Sequence, residues 1–216
     1  MHEFKTILDK SVSAEIVEKK SRFIANLFYV ESSEEAEQII KQIKKKYYDA
    51  KHNCFAYLII ENNQITKKFS DDGEPSGTAG APMLEILEKM GIYNVVAVVT
   101  RYFGGILLGT GGLVRAYSDS LKKSLNSANI VDKELGYEVN VKLEYSNFEK
   151  FKYYCNKNNI NIINCAYSNI VICKIEVNDE EKSNLEQEME SKNNLNIISF
   201  GVIRQKHILR LSNDVD

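Results

Sequence analysis

The chain has 216 residues, 44% of them apolar and 27% charged, and 28 basic against 30 acidic side chains leave a formal charge of −2. Those numbers suit one or two globular domains with real cores, and they exclude a disordered tail or a polycation built for nucleic acid. No apolar run approaches the ~18 residues of a membrane span, and no signal peptide is visible in MHEFKTILDK.

In chain order, residues 12–30 read as a hairpin, with SAEIVEKK and SRFIANLFYV alternating and Lys19-Lys20 between them. Ser32-Ser33-Glu34-Glu35 reads as a capping box, with Ser32 as N-cap and Glu35 at N3. The helix that follows puts Ala36, Ile39, Ile40 and Ile43 on one face. CFAYLII (54–60) and ITKKF (65–69) are strands around an Asn62-Asn63 turn. MLEILEKM (83–90) is a short helix with Gly91 as its C-terminal stop. VVAVVT (95–100) is apolar on both faces and so is expected at the centre of a sheet. LVRAYSDSLKKSLNSA is a helix with Leu113, Tyr117, Leu121, Leu125 and Ala128 on one stripe, and Thr110 is expected to be its N-cap.

A second unit begins near 132–136. YEVNVKLEY is a strand, and Ser146-x-x-Glu149 is expected to cap a helix. NINIINCAY and NIVICKIEV are strands, Asn178-x-x-Glu181 opens another helix, and NIISFGVIR closes. The order β-α-β-β-α-β is the ferredoxin-like pattern. The expected domains are 1–132 and 133–216. Cys54, Cys155, Cys165 and Cys173 form no C-x-x-C pair, so reduced core thiols in a cytoplasmic protein are expected and no metal centre.

Glycine is the one uneven quantity. Nine of 11 glycines and both prolines lie between Gly73 and Gly112. Two segments divide them. In SDDGEPSGTAGAP, Asp71, Asp72 and Glu74 supply three carboxylates and Ser76 and Thr78 two hydroxyls. That set would suit a magnesium ion or acid–base chemistry, and equally turn chemistry alone. In RYFGGILLGTGGLVRAY, Gly104, Gly105, Gly109, Gly111 and Gly112 surround a helix start, where free N–H groups attract anions. Arg101 ends the central strand and Arg115 lies one turn into the helix. Together they would suit a phosphate or carboxylate, or Arg101 would pair with Asp71 or Asp72 and tie the loops together.

The familiar phosphate motifs fail. GxxxxGK[ST] needs a lysine where Thr110 stands, and GxGxxG needs a glycine where Val114 stands. His52 and Cys54 share a strand face, but a thiol within NCFAYLII reads as core before nucleophile. Aromatics near basic residues, Tyr47, Tyr48, Tyr93, Tyr102, Phe103 and Tyr117, would suit stacking on RNA or ordinary packing.

SRFIA (21–25), HNCFAY (52–57), SDDGEPSGTAGAPML (70–84) and VVTRYFGGILLGTGGLVRAY (98–117) resemble, in order and spacing, the signature segments of the YigZ/IMPACT family in its bacterial two-domain form. The resemblance implies an α+β N-terminal domain, of the fold shared by a ribosomal-protein second domain and domain IV of elongation factor G. It implies a ferredoxin-like C-terminal domain like the last domain of that factor. Eukaryotic members carry a different N-terminal domain and regulate translation by a pathway that does not transfer to this form. The family resemblance and the two factor-like domains imply a translation-associated binding protein contacting RNA, the ribosome or a protein partner, without cofactor or catalysis. The alternative is an enzyme or binder of a small phosphorylated ligand at the glycine-rich loops.

Overall fold

The computed structural model describes residues 3–61, 64–191 and 195–209. The Asn62-Asn63 turn lies outside them. Two compact units divide the chain, one over Phe4–Val131 and one from Asp132 onward.

The N-terminal unit carries β1 (Glu3–Ile7), β2 (Ser11–Glu18), β3 (Ser21–Tyr29), α1 (Ser33–Lys46), β4 (His52–Glu61), β5 (Gln64–Ser70), α2 (Gly80–Met90), β6 (Val95–Tyr102) and α3 (Thr110–Asn126). Five of its strands form an antiparallel sheet in the order β2-β3-β6-β4-β5. VVAVVT is central, as its unbroken apolar run requires. Cys54, Ala56, Leu58, Ala97 and Val99 face one core with Leu87 of α2 and Tyr117 and Leu121 of α3. Phe55, Tyr57, Ile59, Val96 and Val98 face a second core with Ala36, Ile40 and Ile43 of α1. The period of two on β4 and β6 therefore feeds both faces of one sheet.

Local chemistry sets the ends of the elements. Ser32 caps α1 by accepting from the Glu35 N–H at 3.2 Å, while the Glu35 carboxylate accepts from Glu31 N–H, one residue before the box. Gly91 ends α2 at φ 65°, in the left-handed region where a side chain would be strained. Lys19 and Lys20 form the β2–β3 turn at φ 46° and 66° without any glycine.

Two expectations for this unit are corrected and one strand is added. α2 starts at Gly80, not at Met83, because a remote carboxylate caps it. Thr110 is the first helical residue of α3, and Gly109 stands at the cap with no side-chain bond. β1 is an additional strand, joined to the unit by Lys5 N–H to Gly91 O at 3.0 Å and Tyr93 N–H to Lys5 O at 2.8 Å.

The C-terminal unit follows on β7 (Ile130–Leu143) with α4 (Tyr145–Lys157), β8 (Asn161–Tyr167), β9 (Val171–Val177), α5 (Asp179–Ser191) and β10 (Ile197–Leu209). Its strands run β10-β7-β9-β8 in antiparallel pairs, and β1 also pairs β7 in this five-stranded sheet. Both helices share one core with the sheet, through Phe151, Cys155 and Leu185 against Val139, Val141, Cys173 and Ile175. This is the ferredoxin-like arrangement. Asn178 and Glu181 exchange reciprocal bonds of 2.9 Å and cap α5 as expected. Ser146 does not cap α4: Glu144 stands at that position without a side-chain bond, and Ser146 is already helical.

Candidate functional site

The 70–80 loop folds inward because its carboxylates find donors within the protein. Asp71 accepts from the backbone N–H groups of Gly77 at 2.8 Å, Ala79 at 3.0 Å and Gly80 at 2.8 Å. One carboxylate thus satisfies the orphan donors at the start of α2. Asp72 accepts from Lys44 Nζ at 2.6 Å and from Asn53 N–H at 2.7 Å. Its carbonyl lies 2.8 Å from His52 Nδ1. A carbonyl only accepts, so that nitrogen carries the hydrogen. Thr78 is buried and donates to the Pro75 carbonyl at 2.7 Å, while Ser76 is exposed.

Glu74 lies deepest. Its Oε1 accepts from Arg101 Nη1 at 2.7 Å and from the Tyr117 hydroxyl at 2.9 Å, and His52 Nε2 is 3.9 Å away. The Glu74 and Arg101 side chains keep only 3% and 8% of their exposure. The guanidinium also lies over the rings of Phe23 at 5.4 Å and Phe103 at 5.6 Å. Its Nε is buried with no partner among the described residues. The Cys54 thiol donates to the Asp71 carbonyl at 3.0 Å and meets the Tyr117 hydroxyl at 3.3 Å. Burial pushes that thiol up to about 12 and pushes the Tyr117 hydroxyl well above its ordinary value. A thiol held protonated in this way is not an activated nucleophile.

The structure therefore brings His52, Asp71, Asp72, Glu74 and Arg101 into one hydrogen-bonded clasp between the two diagnostic segments, buried at His52, Glu74 and Arg101 and half-buried at the two aspartates. Lys44, Cys54 and Tyr117 belong to it as well. A buried tyrosine hydroxyl needs a partner, and that was the signal available for Tyr117. The carboxylates do not converge on a common point, since each is turned to different donors. Among the described residues, no group of three His, Cys, Asp or Glu side chains could hold a metal ion.

Arg115 and the glycines at 109–112 lie apart from the clasp. With Glu18, Lys19, Leu108 and Asp119, Gly112 and Arg115 line a pocket of about 290 Å³. Gly104 and Gly105 hold the preceding loop. Gly104 N–H donates to Ser21 Oγ at 3.1 Å, and a Cβ at this position would overlap the Lys20 carbonyl group. On either side of it the loop offers Phe103, Ile106 and Leu107 to solvent at 47%, 42% and 82% exposure. A larger pocket of about 770 Å³ opens in the C-terminal unit, beside Glu134, Asn158, Asn178 and Glu181, and contains none of the expected residues.

Residues 19–125 match the family model of the Impact N-terminal domain. The chain is 47% identical over 146 residues to the IMPACT family member YvyE of Bacillus subtilis, covering 68% of this chain and 66% of that protein. It is 37% identical over 158 residues to the IMPACT family member YigZ of Escherichia coli, covering 73% and 78%. A crystal structure described as that of a hypothetical protein aligns with a TM-score of 0.63 at 30% identity, over 94% of this chain and 98% of the other.

Proposed function

The chain belongs to the IMPACT family, and from that premise we propose that it is a translation-associated binding protein of the cytoplasm, without chemistry of its own. The observation that carries this reading is the loop at 103–108. Three large apolar side chains stand in solvent on a loop whose base is locked against the β2–β3 turn. Folding alone does not ask for an exposed apolar patch on a fixed support, and such patches mark contact surfaces. The clasp beneath supports the loop: Arg101 holds Phe103 from below and is itself held by Glu74. Apolar side chains suit a protein surface, free or on the ribosome, better than bare RNA, whose affinity comes from phosphate contacts.

Sedimentation with ribosomes in low and moderate salt, beside Leu107→Asp, tests this. Cosedimentation that persists in moderate salt and is lost in the variant is the expected result. If the variant sediments as the parent does, or neither sediments, the loop is not the contact.

A second reading is a small phosphorylated ligand at the start of α3. Lys19, Gly112 and Arg115 on one pocket favour it, while Glu18 and Asp119 in the same walls oppose an anion. Thermal melts with phosphate compounds decide this: a ligand at about 100 times its Kd adds about 2.7 kcal/mol.

A further inference from the structure

Three of the four cysteines lie in the C-terminal unit, and two face each other across a strand pair. β8 and β9 pair in antiparallel register with Cys165 directly opposite Cys173. Their sulfurs are 2.9 Å apart and both are free thiols. Directly opposite residues on neighbouring strands hold their Cβ atoms about 4.5–5.5 Å apart, and a disulfide needs about 3.5–4.5 Å. Closure therefore asks for a small approach of side chains already in contact. Cys165 is half-buried and reachable, while Cys173 is fully buried.

We propose that Cys165 and Cys173 form a reversible oxidation site, a dithiol that closes to a cross-strand disulfide by exchange with a small-molecule disulfide. Cys165 gives its proton to solvent and attacks one sulfur of the small disulfide. The S–S bond of that reagent breaks and its first half leaves as a thiolate, which takes up a proton. Cys173 then loses its proton and attacks the Cys165 sulfur of the mixed disulfide, expelling the second half as a thiol. Two protein thiols are oxidised and one disulfide is reduced to two thiols, with no further oxidant. Cys173 is fully buried and Cys165 only half-buried, so Cys165 meets the reagent first.

The test is incubation of the folded full chain with oxidised glutathione. The expected product has lost two hydrogens in mass and carries no adduct. Its peptide map joins Cys165 to Cys173, and dithiothreitol restores all four thiols. Cys173→Ser is expected to stop at a Cys165–glutathione mixed disulfide, and Cys165→Ser to take up neither adduct nor bond. A parent chain that keeps four thiols, stops at the mixed disulfide, joins Cys165 to Cys155, or crosslinks two chains through Cys165 overturns the proposal.

Discussion

At the residue scale, the clasp turns on Glu74. A carboxylate and a guanidinium this deep offset their desolvation only while both are present. Removing one partner of such a pair costs about 3–5 kcal/mol, because the other is left charged and unpaired. Arg101→Ala is expected to lose that much in urea unfolding; an unchanged midpoint would mark the arginine as a ligand group instead. Tyr117→Phe removes one donor to the same oxygen and is expected to cost about 1–3 kcal/mol. Gly104→Ala and Gly111→Ala should diverge in sign. A methyl at Gly104 has to displace the Lys20 backbone, whereas nothing lies within 4 Å of a methyl at Gly111, inside α3. The first is expected to cost at least about 1–3 kcal/mol, and the second to be neutral or to add about 0.4–1 kcal/mol, read from melting curves. His52, Asp71, Asp72, Glu74 and Arg101 were all legible as candidates in the sequence. What escaped was their pairing, which depends on how the loop folds back. Arg115 could have been separated from them beforehand. It lies two residues from Tyr117, about 200° around a helix, so a tyrosine facing the core sends the arginine outward.

At the element scale, apolar periodicity was the strongest signal and the termini were the weakest. β4 and β6 read as buried because every position from Val95 to Val99 and from Cys54 to Ile60 is apolar. The helix starts at Gly80 and Tyr145 were hidden, the first because its cap is supplied nine residues earlier by Asp71 and the second because it has no side-chain cap at all. The Cys165–Cys173 pair was hidden for a related reason. Seven residues separate the two, matching no redox motif, and only the hairpin register, symmetric about Asn169, places them together. β7 and its neighbours add a pH dependence. Glu138 bonds Lys174 and Arg204, each at 3.0 Å, and these cations hold its carboxyl below the usual value. A lowered carboxyl stabilises the fold fully above its unfolded pKa, here about 4.5, and that stabilisation disappears as pH falls through the folded value. The C-terminal unit is therefore expected to weaken in acid. Glu138→Gln should flatten that part of the profile in urea melts between about pH 6 and about pH 3.

At the scale of the whole molecule, the two units own separate cores. Truncating a fully buried ring costs about 3–5 kcal/mol. Phe151→Ala is expected to lower hydrogen-exchange protection in β7 and β9 while β3 and β6 keep theirs, and equal loss in both would show that they open as one. The strand order of the N-terminal sheet bears on how the chain is made. β6 lies between β3 and β4, yet it is synthesised after both. Until Tyr102 has emerged, two strongly apolar strands wait without the neighbour that joins them, more than forty residues after β4 begins. Long-range pairing of this kind is slow and exposes sticky edges. A nascent chain ending before Val95 is thus expected to stay protease-sensitive and chaperone-bound, and one reaching beyond α3 to be protected. The same insertion that buries VVAVVT makes biogenesis of this unit a race between elongation and aggregation.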